Sequence, residues 1–152
     1  MDYRIDDQVI ALKKGTFVKD ILPGTASKIR VDLSDWLILG DLNNDHQSDA
    51  AIILTANMGG SGRFFYLIPV LWQTNNPLAL EAILLGDRIS MVSLNIENQQ
   101  INVVYLGYSP EEAMATSPSR EIQRHFILKD HVITEVNDTS MNVAAIISSY
   151  SP

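Results

Sequence analysis

The stretch Ile89-Ser90-Met91-Val92-Ser93-Leu94-Asn95-Ile96-Glu97-Asn98-Gln99-Gln100-Ile101-Asn102-Val103-Val104-Tyr105-Leu106-Gly107-Tyr108 reads as one β-hairpin. Val92, Leu94 and Ile96 alternate with Ser93, Asn95 and Glu97, the period of two that a strand with one buried face requires. Asn98-Gln99-Gln100 supplies a polar turn, and Ile101 to Tyr108 returns with β-branched and aromatic residues. Strands joined by so short a connection pair antiparallel.

Working outward, the same pattern recurs in both directions. Toward the C-terminus, Ser109 to Ser119 reads as a long Pro- and Ser-containing loop, and Glu121 to Lys129 and Val132 to Val136 as a final hairpin turning at Asp130-His131. Toward the N-terminus, Leu78 to Leu85 reads as a strand or a short helix, after a turn over Gln73 to Pro77. Phe64 to Trp72, rich in aromatic and β-branched residues, is expected to be a central strand, with Pro69 marking a bulge or an edge position. Lys28 to Leu33 alternates, with Ile29, Val31 and Leu33 on one face and Lys28, Arg30 and Asp32 on the other. Trp36-Leu37-Ile38-Leu39 is a continuous apolar run whose two faces are both expected to be covered, and Ala50 to Thr55 follows as another strand. Tyr3 to Lys19 reads as a small meander, with turns at Asp6-Asp7 and Lys13-Lys14-Gly15, and Asp20 to Ser27 as a loop.

Turn signals every eight to twelve residues or so, with no long amphipathic helix, predict a mostly β fold. The expected form is a single antiparallel β-sandwich or barrel-like domain over residues 1–136, with 137–152 as a C-terminal tail, partly docked through Val143 to Ile147 or frayed. An α+β fold with one short helix, at Leu78 to Leu85 or in the tail, is the alternative.

Composition bounds the function. At 152 residues, 46% of them hydrophobic and 19% charged, the chain is long enough for a real core. A net charge of −7 repels phosphate backbones and anionic membrane surfaces, so neither nucleic acid nor such a membrane is an expected partner. No apolar run reaches the roughly 18 residues needed to span a bilayer. Without cysteine there are no disulfides, thiolate nucleophiles or zinc–thiolate sites. Met1-Asp2-Tyr3-Arg4 opens directly into a strand with no signal peptide, so the chain reads either as cytoplasmic or as a mature fragment with an added start methionine.

One segment carries specific chemistry: Gly40-Asp41-Leu42-Asn43-Asn44-Asp45-His46-Gln47-Ser48-Asp49-Ala50. Asp41, Asn43, Asp45 and Asp49 occupy loop positions 1, 3, 5 and 9, and Gln47 at position 7 offers a backbone carbonyl. Calcium takes about six to eight oxygens, and this spacing is how a short loop wraps one. From Val31 to Gly62 there is no Lys or Arg, while Asp32, Asp35, Asp41, Asp45 and Asp49 are all present. Crowded carboxylates repel, and a divalent cation relieves them. Position 6, usually glycine, is His46, and position 12, usually a bidentate Glu, is Ile52, so the loop is not an EF-hand. The other reading is a polar inter-strand turn in which Asp41 and Asp49 satisfy loop N–H groups.

The loop resembles the Gly-Asp-Leu-Asn-Gly-Asp-Gly-x-x-Asp-Ala loop of FG-GAP repeats in integrin-type propellers, which binds calcium between two strands. More of the chain resembles small exported bacterial proteins, often predicted lipoproteins. They combine such a loop with Gly-Gly-Ser-Gly-x-Phe-Tyr-Tyr-like and Leu-Gly-Asp-Arg-Ile segments. Here these are Gly59-Gly60-Ser61-Gly62-Arg63-Phe64-Phe65-Tyr66 and Leu85-Gly86-Asp87-Arg88-Ile89. The resemblance implies export to the periplasm or anchoring at the outer membrane, a lipid anchor in the full-length protein, an envelope component or other protein as partner, and no activity.

Other candidates are weaker. Gly59 to Arg63 is either an anion-binding nest or a plain hairpin turn, and it is neither a P-loop nor a nucleophile elbow. Asp87-Arg88 reads as a structural ion pair at the start of a strand, and Arg63 and Arg88, the only cations between Val31 and Ser119, are each expected to face a carboxylate. His46, His125 and His131 are scattered without metal-ligand spacing. Trp36, Trp72, Tyr66 and Phe64 read as core more than as a ligand groove. The expected function is thus a non-enzymatic binding or structural module of the bacterial envelope, with calcium held by Asp41, Asn43, Asp45, Gln47 and Asp49 and no catalytic residues. The alternative is a metal-dependent hydrolase using the carboxylates of that loop.

Overall fold

The computed structural model describes residues 2–5, 8–20, 28–108, 117–130 and 132–136. These form twelve strands and, among the described residues, no helix. The strands are β1 (Asp2–Ile5), β2 (Gln8–Ala11), β3 (Thr16–Asp20), β4 (Lys28–Gly40), β5 (Asp49–Asn57), β6 (Phe64–Gln73), β7 (Asn76–Ala79), β8 (Ile83–Asp87), β9 (Ser90–Glu97), β10 (Gln100–Gly107), β11 (Arg120–Lys129) and β12 (Val132–Val136). The mostly β fold is thus observed, and all pairings between these strands are antiparallel.

A six-stranded sheet runs β3-β4-β5-β6-β7, with β8 also pairing β6. A four-stranded sheet runs β12-β11-β10-β9, and β1-β2 form a separate ribbon. The six-stranded sheet is the middle layer. Ala51, Ile53, Leu67 and Leu71 on one of its faces share a core with Leu94, Ile101, Val103, Tyr105 and Phe126 of the four-stranded sheet. Ile52, Leu54, Ala56, Tyr66 and Ile68 on the other face pack with Tyr3, Ile5 and Ile10 of the ribbon. This is why Ala50 to Thr55 and Phe64 to Trp72 are apolar without alternation: both faces are covered. Each fully buried Leu or Ile there contributes about 1.5–3 kcal/mol.

Pro69 sits inside β6, opposite Ala51. Its carbonyl accepts the N–H of Leu80 at 2.8 Å, so its nitrogen also points to that side, where β7 ends and β8 has not begun. The missing donor therefore falls in a gap between two edge strands, and no ladder bond is lost.

Several local expectations are corrected. Tyr3 to Lys19 is not a meander, because β3 leaves the ribbon and pairs β4, Phe17 opposite Val31. Trp36 to Leu39 is covered on one face only. Trp36 and Ile38 pack toward the inter-sheet core, whereas Leu37 and Leu39 are 54% and 61% exposed. The four-residue strands of the ribbon shelter Val31, Ile52 and Tyr66 but not these leucines. Leu78 to Leu85 is not helical: it divides between β7 and β8 after a two-residue turn at Thr74-Asn75 with φ of 45° and 66°. In β9 the register shifts opposite Val104/Tyr105, so that Met91 rather than Val92 pairs Tyr105 and Val92 is exposed. The Asp6-Asp7 turn, the loop after Asp20, most of the loop after Tyr108, His131 and the tail at 137–152 lie outside the described residues.

Candidate metal centre

β4 and β5 close on each other at Leu39 opposite Ala50 and Gly40 opposite Asp49, which fixes both ends of the 41–48 loop. Gly40 is required by what lies beside it. A Cβ there would come within 2.7 Å of Ile96 Cβ and Cγ2 on β9, so only a bare Cα lets the sheets approach.

Within the loop, side-chain carboxylates replace missing backbone partners. Asp41 Oδ1 accepts the N–H groups of Asn43 at 3.2 Å and Asp45 at 3.3 Å, and its Oδ2 accepts that of His46 at 2.9 Å. Asp45 Oδ1 accepts the N–H of Gln47 at 2.9 Å. Desolvation pushes the Asp41 carboxyl upward, but the N–H groups of His46, Asp45, Asn44 and Asn43 outweigh it and hold Asp41 below the usual carboxylate range.

Asp49 is different in kind. It is 2% exposed, and its two oxygens are divided between distant backbone groups: Oδ2 accepts Leu42 N–H at 2.8 Å and Oδ1 accepts Trp72 N–H at 2.9 Å. Leu42 itself is buried in the inter-sheet core. The loop is thus pinned at its start by an apolar anchor and closed by a buried carboxylate that also reaches β6. Sequence reasoning passed over Leu42 and the bond to Trp72. The available signal was that Leu42 is the one apolar residue between Asp41 and Asp49.

Asn44 and His46 have φ of 60° and 64°. These are the two positions at which the resembled loops carry glycine and this chain does not. The backbone adopts the left-handed conformation that those glycines would serve, with Asn and His accepting it at modest cost.

The result brings one oxygen each from Asp41, Asp45 and Asp49 within 4.8 Å of one another. Asn43 and Gln47 are exposed loop residues whose recorded bonds run through their backbone N–H groups. The hydrogen bonds are those of the polar-turn reading, and the converging carboxylates are those of the calcium reading. The two coexist because a carboxylate oxygen that accepts one N–H keeps a further lone pair. Oxygen-only donors on a short loop suit a hard cation such as calcium. The ion pairs among the described residues, Lys28–Asp20, Arg30–Asp32, Arg88–Asp87 and Arg124–Glu135, leave these three carboxylates without a cationic side chain.

The other motifs fall elsewhere. The two segments Gly59 to Tyr66 and Leu85 to Ile89 are joined: Phe64 lies opposite Asp87, Arg63 N–H donates to Asp87 Oδ1 at 2.8 Å, and Arg88 N–H donates to Arg63 O at 2.7 Å. Asp87 also pairs Arg88 at 3.2 Å, a structural contact at the end of β8 rather than at a strand start. The Arg63 guanidinium lies 5.6 Å from the Phe65 ring centroid. His46 is exposed on the loop, and His125 stands half-buried on the outer face of the four-stranded sheet, its Nδ1 2.6 Å from Asn102 Oδ1. Trp36 belongs to the core between the sheets and Tyr66 and Phe64 to the core under the ribbon, so these aromatics do not share a groove.

No protein-family model, curated protein or solved structure matches the chain.

Proposed function

We propose that the chain is a non-enzymatic binding or structural module of the bacterial cell envelope whose Asp41–Asp49 loop takes calcium to lock the connection between β4 and β5. The observation that carries this is the approach of Asp41, Asp45 and Asp49 to within 4.8 Å in a segment free of Lys and Arg. Asn43 and Gln47 would add oxygens from the same loop. A binding role is favoured over hydrolysis by how the carboxylates are occupied. Asp41 accepts three backbone N–H groups and Asp49 two, so these carboxylates hold a backbone shape.

The envelope location rests on the resemblance to exported proteins, which is carried by the Gly59 to Tyr66 and Leu85 to Ile89 segments. Periplasmic residence or a lipid anchor on the full-length protein, with an envelope component as partner, belongs to the same proposal.

Thermal denaturation of chelator-treated protein with and without calcium tests the loop. Calcium raises Tm, and Asp45→Ala, an exposed position, abolishes the rise while leaving the metal-free Tm nearly unchanged. A ligand at about 100 times its Kd stabilises by roughly 2.7 kcal/mol. An unchanged wild-type Tm at millimolar calcium removes the metal from the proposal. Metal-dependent turnover in a hydrolase screen, lost in Asp45→Ala, replaces the binding module with the enzyme. Fractionation of the source cells, with the native protein found in the cytoplasm, overturns the location.

A further inference from the structure

We propose a second site, independent of the calcium loop: a groove on the six-stranded sheet that binds a small organic carboxylate through Arg63, Arg30 and Thr55. The groove has a volume of about 360 Å³ and is lined by Arg30, Asp32, Thr55, Asn57, Ser61 and Arg63, among others.

Its floor follows from strand register. Thr16, Asp32, Thr55 and Phe65 lie directly opposite one another across β3, β4, β5 and β6, and Val18, Arg30 and Asn57 form the next row. These residues share a face with Ile53 and Leu67, which lie under the four-stranded sheet. Where that covering layer stops, the same face turns from apolar to polar, and the Gly59 to Arg63 turn stands at its rim. Cross-strand neighbours of this kind have Cβ atoms about 5 Å apart, close enough to converge on one ligand.

Three observations point to what it holds. First, Thr55 is 4% exposed, lines the groove, and its hydroxyl takes no hydrogen bond from the described residues. That hydroxyl is open to the groove and free to donate to or accept from a ligand there. Second, donors are left over. Arg30 engages Asp32 Oδ2 through Nε at 2.9 Å, which leaves its Nη groups, and Asn57 spends its Oδ1 on Gly59 N–H at 2.8 Å, which leaves its amide N–H₂. Third, the local charge is opposite to that of the whole. Arg30, Arg63 and Asp32 sum to one positive charge on a chain of net −7. That balance accepts a monoanion, whereas Asp32 in the floor disfavours a dianion such as phosphate. A planar carboxylate matches the guanidinium donors, and a hydroxyl or amino group on the same ligand finds Asp32 and Thr55 beside it.

Amide-resolved NMR titration of the full chain tests this, with sodium glycolate as probe and inorganic phosphate and sodium chloride as controls at matched ionic strength. Glycolate shifts the amides of Thr55, Asn57, Ser61 and Arg63 saturably, and chloride does not. Arg63→Gln, at an exposed position, weakens the titration by about tenfold. Thr55→Val weakens it as well, with the Arg63 variant carrying the test if Thr55→Val does not fold. Phosphate saturating the same amides more tightly than glycolate overturns the carboxylate assignment. Glycolate shifts that are absent, that chloride reproduces, or that persist in Arg63→Gln overturn the site.

Discussion

The carboxylate of Asp49 accepts the backbone N–H of Trp72 at 2.9 Å, tying the first residue of β5 to a strand that begins fifteen residues later, at Phe64. Its other oxygen holds Leu42 at 2.8 Å, so one buried side chain closes the loop and fastens it to the sheet.

Replacing Asp49 therefore acts on the fold as well as on any metal. Asp49→Ala leaves two backbone donors without acceptors and lowers stability by about 2–4 kcal/mol. Urea denaturation in the presence of chelator measures it. Asp45→Ala under the same conditions stays within about 0.5 kcal/mol of wild type, since Asp45 is exposed and holds only the neighbouring Gln47 N–H. Equal losses in the two variants would contradict the distinct roles assigned to them.

Position 46 is set by backbone conformation. His46→Gly relieves a left-handed residue but frees the unfolded chain, so stability changes by less than about 1 kcal/mol. His46→Val places a β-branched side chain at φ of 64° and costs about 1–3 kcal/mol. A valine variant as stable as the glycine variant in thermal melts would show that the loop does not keep this conformation in solution.

Gly40 and Gly60 make a matched pair. Gly40→Ala drives a methyl group into Ile96 and destabilises by about 1–3 kcal/mol, whereas a Cβ at Gly60 meets nothing within 4 Å and Gly60→Ala stays within about 0.5 kcal/mol of wild type. Parallel urea melts of the two variants report the difference. It disappears if β9 does not lie against the end of β4.

Arg124 and Glu135 predict a pH dependence. Arg124 donates through Nη2 at 2.7 Å and Nε at 2.9 Å to the two oxygens of Glu135, and through Nη1 to Leu84 O at 2.8 Å, which links β11 and β12 to β8. The hydrogen bond from Arg124 holds the Glu135 carboxyl below its ordinary range, against some desolvation. A carboxyl whose folded pKa is depressed contributes stability above its unfolded pKa and loses it as pH falls through the folded value. The pair thus stabilises fully at neutral pH, and its contribution fades on the acid side of the ordinary glutamate range. Arg124→Gln lowers stability by about 1–2 kcal/mol at pH 7 and flattens that acid limb. Urea midpoints from pH 7 to pH 3 for both proteins give the comparison, and identical slopes in the acid range would refute it.

Much of this molecule is written locally. Alternation over Lys28 to Leu33, β-branched and aromatic residues over Ile101 to Tyr108, and turn residues between hydrophobic runs specify the strands, because the period of side-chain direction is a property of the extended chain itself. The spacing of Asp41, Asp45 and Asp49 likewise brings their oxygens together, because a short loop closed by two paired strands has little freedom to separate them. Three-dimensional arrangement decided what no local pattern carries. It placed Leu37 and Leu39 in the open by limiting the reach of the ribbon, made Gly40 obligatory by setting Ile96 against it, and gave the candidate ligand Asp49 a second task as a clasp on Trp72. Those outcomes depend on which strand lies over which. That is fixed by contacts between residues far apart in the chain, where burial and excluded volume act on pairs that the sequence does not set side by side.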